Sequence, residues 1–429
     1  MLIAIFVGLL LILFLLGFAV PYALITTSVV AMLYSGSFST ISMGTIAQKM
    51  TAGVNNFTLL AIPFFLLAGK LMNVGSITRR IFNFCGALVG WIPGGLGQVN
   101  ILASVVFAGM SGSAVADAAG LGTIEIAAMK DEGFDTEFAA GITAASSTIG
   151  PIIPPSIPLI MFGAATSAFG VSIADLLVGG IVPGVVCAIA LGVMVALMAL
   201  KRHYPRRKLP GGKELLKLFG QAFLSLLTPV ILIGGILSGV FTATEAASVA
   251  ALYAMILVCL VYREVNLKDL VRTFKEVCGE SAAILLVVAA STIYGYMLTK
   301  FQIPSLVLNF FLNLSSSKYV FLLMINLFLL FVGCFMDANA AILIMAPILT
   351  PAALSFGIHP VHFGLIMVFN LMCGLLTPPV GMCLYATSRV AGLSFEKMLK
   401  GTVPFYIPLF ITLVIITMVP AVTLCLIGG

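Results

Sequence analysis

The chain has 429 residues, of which 61% are hydrophobic and only 8% charged, with a net charge of +6. That balance excludes an ordinary soluble domain and marks an integral membrane protein lying in a lipid bilayer. The positive charge does not imply a nucleic-acid partner, because the basic residues fall at the ends of apolar runs, where membrane topology accounts for them.

The first apolar run, Met1–Val20, has no basic segment before it and continues directly into more apolar sequence. It reads as a retained span and not as a cleaved leader. Crossings are expected at about 2–20, 22–36, 56–73, 137–168 and 175–200, each close to the roughly 20 apolar residues that hydrocarbon requires. Between them, Ile81–Gly97 is interrupted by Gly86, Gly90, Pro93, Gly94 and Gly95, and reads as an interfacial arm. The next stretch, 98–131, is too long for one span and is broken at its centre by Gly109-Met110-Ser111-Gly112-Ser113-Ala114-Val115-Ala116-Asp117. A helix over Gln98–Gly109 would be roughly 18 Å long, short of a core of about 30 Å. A re-entrant hairpin with its tip at Ser111–Ser113 follows, and such backbone is tolerated only where it is packed in protein or lines a wet cavity. The helix over 137–168 must then break at Ser146-Ser147-Thr148-Ile149-Gly150-Pro151-Ile152-Ile153-Pro154-Pro155-Ser156, since proline removes a donor and clashes with the preceding turn.

Lys201–Lys217 is the most basic segment and is expected to be cytoplasmic. Alternating outward from it places all of the 21 basic residues on that side except Lys49, Lys300 and Lys318. The second half echoes the first. Val30, Ala31, Leu33 and Tyr34 recur as Val249, Ala250, Leu252 and Tyr253, Asp117-Ala118 as Asp337-Ala338, Pro154-Pro155 as Pro378-Pro379 and Pro183 as Pro404, at offsets of 219 to 224. The spatial expectation is an all-α polytopic membrane protein of two repeats, 1–208 and 209–429, each with five crossings, so that an odd count inverts the second. Its second hairpin should occupy 318–356, its second broken helix 360–390, with Gly374-Leu375-Leu376-Thr377-Pro378-Pro379-Val380-Gly381 at the break, and its second arm Phe301–Ser317.

Carbonyls freed at such breaks, helix C-termini and nearby hydroxyls are hard oxygen ligands suited to Na⁺, and exposed helix N-termini suit a carboxylate. Asp117 and Asp337 would each cost about 3 kcal/mol at mid-helix in a bilayer, which marks them as candidate functional residues. Lys300 and Arg389 read as interfacial snorkelling residues, and His359 and His362 as loop residues. The eight cysteines stand singly in apolar stretches without metal-site spacing, and read as buried small hydrophobes. Two rival readings exist. Gly109-Met110-Ser111-Gly112 superficially matches an intramembrane serine protease, yet no histidine falls in a predicted span to serve as base. A passive channel is the second rival, since broken helices also line pores.

These strings resemble the hairpin and broken-helix signatures of the large membrane subunit of TRAP (tripartite ATP-independent periplasmic) transporters. The resemblance covers essentially the whole chain. It implies an inner-membrane, multi-pass, elevator-type symporter that is not an enzyme, driven by Na⁺, with a small membrane subunit and a periplasmic solute-binding protein as partners. It further implies a carboxylate solute, closest to sialic acid, with C4-dicarboxylates open. Carried onto this sequence, one Na⁺ site falls on Ser111, Ser113, Asp117, Ser146, Ser147 and Gly150, and the other on Gly333, Asp337 and Thr377. The solute lies between the hairpin tips, with Ser113, Ser156, Asn339 and Thr377 as its candidate contacts.

Overall fold

The computed structural model describes residues 4–35, 43–73, 77–315 and 317–427, with no strand among them. After a π-helical segment Ala4–Leu9, the first half runs through α1 (Leu10–Leu15), α2 (Val20–Tyr34), α3 (Met43–Val54), α4 (Ala61–Asn73), α5 (Ile77–Val89), α6 (Leu96–Ser111), α7 (Ala114–Ala119), α8 (Leu121–Asp131), α9 (Thr136–Ser147), α10 (Ile157–Ala165), α11 (Ile173–Gly179) and α12 (Ile181–Arg202). The second half runs through α13 (Gly212–Leu237), α14 (Ala243–Ile256), α15 (Leu267–Lys300), α16 (Ile303–Leu314), α17 (Lys318–Phe335), α18 (Ala338–Ser355), α19 (Pro360–Gly374), α20 (Met382–Ala391), α21 (Phe395–Met418) and α22 (Ala421–Leu424). Among the described residues, seven helical stretches are long and apolar enough to cross a membrane, or eight counting one bent pair.

That bent pair is α3 with Phe57–Asn73, turned by 57°. Its cause is local: Asn56 leaves the helix in an extended conformation, and its side chain accepts from Thr58 N–H to start the next segment. Where the first half bends, the second has one continuous helix of 34 residues, α15. The N-terminal pair departs from expectation. Helix ends at Leu15, the chain turns at Gly17 with φ +81°, and α2 is 15 residues long, about 22 Å at 1.5 Å per residue. Neither forms a full-length span alone. The two expected arms are short helices, α5 and α16, of 13 and 12 residues.

Among the described residues, the ion pairs between distant segments join parts of the chain that the charge distribution assigned to one side. Lys70 pairs with Glu276 and Glu280, Arg80 with Glu264, Arg202 with Asp135 and Arg207 with Glu132. Arg207 N–H also donates to Gly90 O at 3.0 Å, stitching the basic linker to the end of α5. Such exposed pairs each contribute about 0–1 kcal/mol, so they fix register more than they stabilise. Ser316, in the second expected arm, lies outside the described residues.

Helices of one half pack on helices of the other: α14 on α4, α2 on α15, α7 on α20 and α10 on α18. A close crossing is α9 on α21, where a Cβ at Gly141 would meet Gly401 O at 2.2 Å and one at Gly401 would meet Glu137 O at 2.1 Å. Small residues let the backbones touch, the usual way helices associate where lipid offers no hydrophobic drive. On α12, Val185, Ile189, Val193 and Leu197 are exposed at a four-residue spacing, the stripe that a lipid-facing helix presents.

Candidate functional site

The chain leaves α6 at the residues where a hairpin tip was expected. Gly112 adopts a left-handed conformation after α6, and Ser113 is the N-cap of α7. This tip sits on the break between α9 and α10: a Cβ at Gly112 would stand 3.2 Å from Ile157 Cγ1 and 3.3 Å from Pro155 O. The break is buried throughout residues 148–156, and its Pro154-Pro155 peptide bond is cis. Tight turns finish α9, with Ile149 N–H donating to Ser146 O at 2.9 Å and Gly150 N–H to Ser147 O at 3.3 Å. Ser156 donates to Pro151 O and accepts from Leu159 N–H at 3.1 Å. Several carbonyls expected to be free are therefore engaged locally, and the Ser156 hydroxyl caps α10.

Behind the tip lies a buried polar network. Asn100 Nδ2 donates to Glu125 Oε2 and to Thr143 Oγ1, both at 2.7 Å, and Ser146 donates to Asn100 Oδ1 at 2.6 Å. Asp117, buried, lies against Ser104. Glu125 Oε1 has no hydrogen-bond partner among the described residues. Ser147 donates to Ala144 O at 2.8 Å and lies beside the Cys383 thiol, so α20 of the second half closes over the first. Lys130 reinforces this by donating to Ala391 O, at the end of α20, at 2.9 Å. The side chain of Ser111 lies outside the described residues.

The second tip also meets a break. Gly333 near the end of α17 touches Gly374 at the end of α19, and a Cβ on Gly374 would stand 2.6 Å from Gly333 Cα. Met336 carries the chain extended into Asp337, the N-cap of α18, whose carboxylate accepts from Asn339 N–H at 3.0 Å and Ala340 N–H at 3.3 Å. Thr377 donates to Gly374 O and lies 2.9 Å from Cys334 Sγ. Pro378-Pro379 is again cis, but here residues 378–380 are exposed. Tyr406 of α21 donates to Leu376 O at 2.6 Å, occupying a carbonyl at this break. Polar contacts behind it run from Asn370 Nδ2 to Asn326 Oδ1 at 2.7 Å and from Asn326 Nδ2 to Thr417 Oγ1 at 3.2 Å.

The register of the two halves needs correction here. Asp117 and Asp337 are not structural counterparts, because Asp337 is an N-cap and the matching N-cap is Ser113, at an offset of 224. The same offset pairs Ser146 with Asn370, Gly150 with Gly374 and Pro154 with Pro378. The offset of 220 that matched the aspartates is one helical turn out. Three buried residues, Asn100, Glu125 and Asn370, and half-buried Asn326 were also missed, although a polar side chain inside an apolar segment was signal enough. His362, read as a loop residue, is buried in the first turn of α19, with Nδ1 2.7 Å from Thr423 Oγ1.

No three His, Cys, Asp or Glu side chains cluster among the described residues. The donors at both tips are hydroxyls, amides, carboxylates and carbonyls, the oxygen set that suits a hard alkali cation. Residues 7–422 match the family described as "Tripartite ATP-independent periplasmic transporter, DctM component". The chain is 47% identical over 380 residues to the sialic acid TRAP transporter large permease protein SiaM of Vibrio cholerae, covering 89% of this chain and 88% of that one. It is 44% identical to the Haemophilus influenzae sialic acid TRAP transporter permease protein SiaT, covering 87% of this chain and 60% of that longer protein. To the Pseudomonas aeruginosa C4-dicarboxylate TRAP transporter large permease protein DctM it is 39% identical, covering 91% and 90%. A crystal structure of the Alcanivorax borkumensis YdaH transporter shares the fold, with a TM-score of 0.64 at 13% identity over 87% of each chain. The chain is a multi-pass transport permease and not an enzyme, and it belongs to the DctM-component family of tripartite ATP-independent periplasmic transporters.

Proposed function

We propose that this chain is the large permease of a Na⁺-coupled importer of a carboxylate solute, sialic acid before a C4-dicarboxylate, working in the bacterial inner membrane by an elevator movement. One observation carries the reading: each half presses a hairpin tip onto a broken helix, so hydroxyls, amides and backbone dipoles converge twice in protein-packed surroundings. Residues 1–208 and 209–429 are then inverted repeats, in keeping with the shared order of their elements. Ser111, Ser113, Asp117, Ser146, Ser147 and Gly150 surround one coupling ion, with Asn100 and Glu125 behind them. Gly333, Asp337 and Thr377 surround the other. Ser113, Ser156, Asn339 and Thr377 face the solute, and Asn339 Oδ1 is a buried acceptor without a partner among the described residues. A half-helix N-terminus at each tip favours the carboxylate. Sialate is preferred on the higher identity to the two permeases that carry that name. A small membrane subunit and a periplasmic solute-binding protein complete the assembly on the family's tripartite description. Uptake into proteoliposomes holding the two membrane subunits, with the binding protein outside, tests this. Saturable uptake of N-acetylneuraminate that needs an inward Na⁺ gradient and the binding protein is expected. Robust uptake by the isolated chain without the binding protein would remove the tripartite reading, and unsaturable flux without Na⁺ would mean a channel.

A further inference from the structure

We infer that a second anion site, distinct from the hairpin tips, lies in a cavity of about 450 Å³ between α3 and α15 on one side and α10 and α18 on the other, with Lys49 as its anchor. The inference rests on the solute class proposed above. Its position follows from the elements that wall it. Helix α15 begins beside Lys70 through Glu276 and Glu280, and Thr292–Thr299 lie at its far end. Helix α9 begins next to Asp135, which is paired with Arg202, and the chain reaches Ala164–Phe169 only after the break and α10. The cavity therefore opens toward the face bearing Lys49, Lys300 and Lys318, opposite the ion-paired basic face.

Its chemistry is uneven in an informative way. Lys49 is the one charged residue among those lining it, and no acid lines it. The ammonium stands over the Tyr296 ring, 4.8 Å from the centroid, which holds a cation in place without neutralising it. Lining hydroxyls Ser291, Thr292 and Thr299 donate to carbonyls of their own helix, so their oxygens remain as acceptors. Asn56 Oδ1 is taken up by Thr58, which leaves the amide NH₂ to donate. One fixed positive charge, one amide donor and a row of hydroxyl acceptors, against an apolar wall of Val288, Leu343 and Pro347, fit a monocarboxylate bearing several hydroxyl groups. The volume lies within the roughly 300–1,000 Å³ of ordinary small-molecule pockets. The site is a waiting position: solute arriving on this face is held at Lys49 before the tips take it.

Two measurements test this separately from the transport reading. In the full complex, Lys49→Gln should raise KM for N-acetylneuraminate uptake about tenfold with the maximal rate retained, the loss expected for one charge-assisted contact, and Lys49→Arg should restore it. An unchanged KM for Lys49→Gln in a complex whose wild type transports would overturn the site. On the full chain, a cysteine at exposed Ser167 should react faster with anionic sulfonatoethyl methanethiosulfonate than with a cationic analogue, read by mass spectrometry of its peptide. N-acetylneuraminate should protect it, and Lys49→Gln should abolish both effects. If the wild-type complex transports no sialate, the solute assignment falls, while the anionic-over-cationic preference still scores the anion site. Equal rates for the two reagents would sink it.

Discussion

The two tip-and-break units use the same elements in the same order and differ in what surrounds them. The first is sealed: its break is wholly buried, and a side-chain network of Asn100, Glu125, Thr143 and Ser146 stands behind it. The second is open at Pro378–Val380, and neutral amides and a capping aspartate replace the buried network. A buried carboxylate such as Glu125 is tolerable only where donors reach it, because an ion or dipole stripped of water is costly unless it is paired. The difference teaches that one architecture supports two kinds of site, one preorganised by buried side chains and one assembled from backbone geometry.

The largest effect should come from removing the hub of the sealed unit. Asn100→Ala strips partners from Glu125, Thr143 and Ser146 together, and should cost about 3 kcal/mol of stability. Asn370→Ala in the open unit, at the position that matches Ser146, loses contacts to Asn326 alone and should cost about 1 kcal/mol. Denaturation of both variants in detergent checks the ranking, and equal losses would erase the distinction between the units. The contact of tip on break reverses it. In the open unit a Cβ on Gly374 would strike backbone, Gly333 Cα, whereas at Gly112 the nearest atom belongs to the Ile157 side chain. Gly374→Ala should therefore cost about 2 kcal/mol through overpacking, and Gly112→Ala about 1 kcal/mol, chiefly from its left-handed backbone. Thermal unfolding of the pair would break this ordering if Gly112→Ala proved the worse.

Much of this architecture was legible because glycine, serine and proline strings stand out in so apolar a chain. Gly109–Asp117 pointed to the interruption after α6 and the two Pro-Pro pairs to those after α9 and α19, while the interruption after α17 followed only from the echo of the first half in the second. Register was not legible to the same degree. Asp117-Ala118 matches Asp337-Ala338 by identity at offset 220, but the tips align at 224, and a four-residue slip returns a helix to nearly the same face, so pattern alone could not reject it. Partnering was hidden as well. Nothing local to Asn100 says that it meets Glu125 and Ser146, which lie 25 and 46 residues away. The bend at Asn56, absent from α15, could not be read from a repeat that predicts sameness.

The smallest stability effect, and the sharpest functional one, concerns the aspartates that the structure has separated. Asp337 caps α18 through Asn339 and Ala340 N–H. Asparagine caps a helix about as well as aspartate, so Asp337→Asn should change stability by only a few tenths of a kcal/mol, whereas Asp337→Ala should cost about 1 kcal/mol. The charge is a separate matter. If a coupling ion lies near either carboxylate, removing one negative charge at about 4 Å in a partly screened site forfeits roughly 4 kcal/mol of attraction, offset in part by the lower cost of burying a neutral group. A tenfold or greater rise in the Na⁺ concentration for half-maximal uptake is then expected for Asp337→Asn, and a larger one for Asp117→Asn in its buried setting. Because ion and solute binding are coupled, each shift should also appear as weaker solute binding at subsaturating Na⁺. A purely capping Asp337 predicts the opposite split: Asp337→Ala unfolds more easily while Asp337→Asn titrates with Na⁺ like the wild type. Uptake measured against Na⁺ for folded, purified complexes distinguishes the two, and unshifted curves for both Asp117→Asn and Asp337→Asn would leave neither tip a role in ion coupling through its carboxylate.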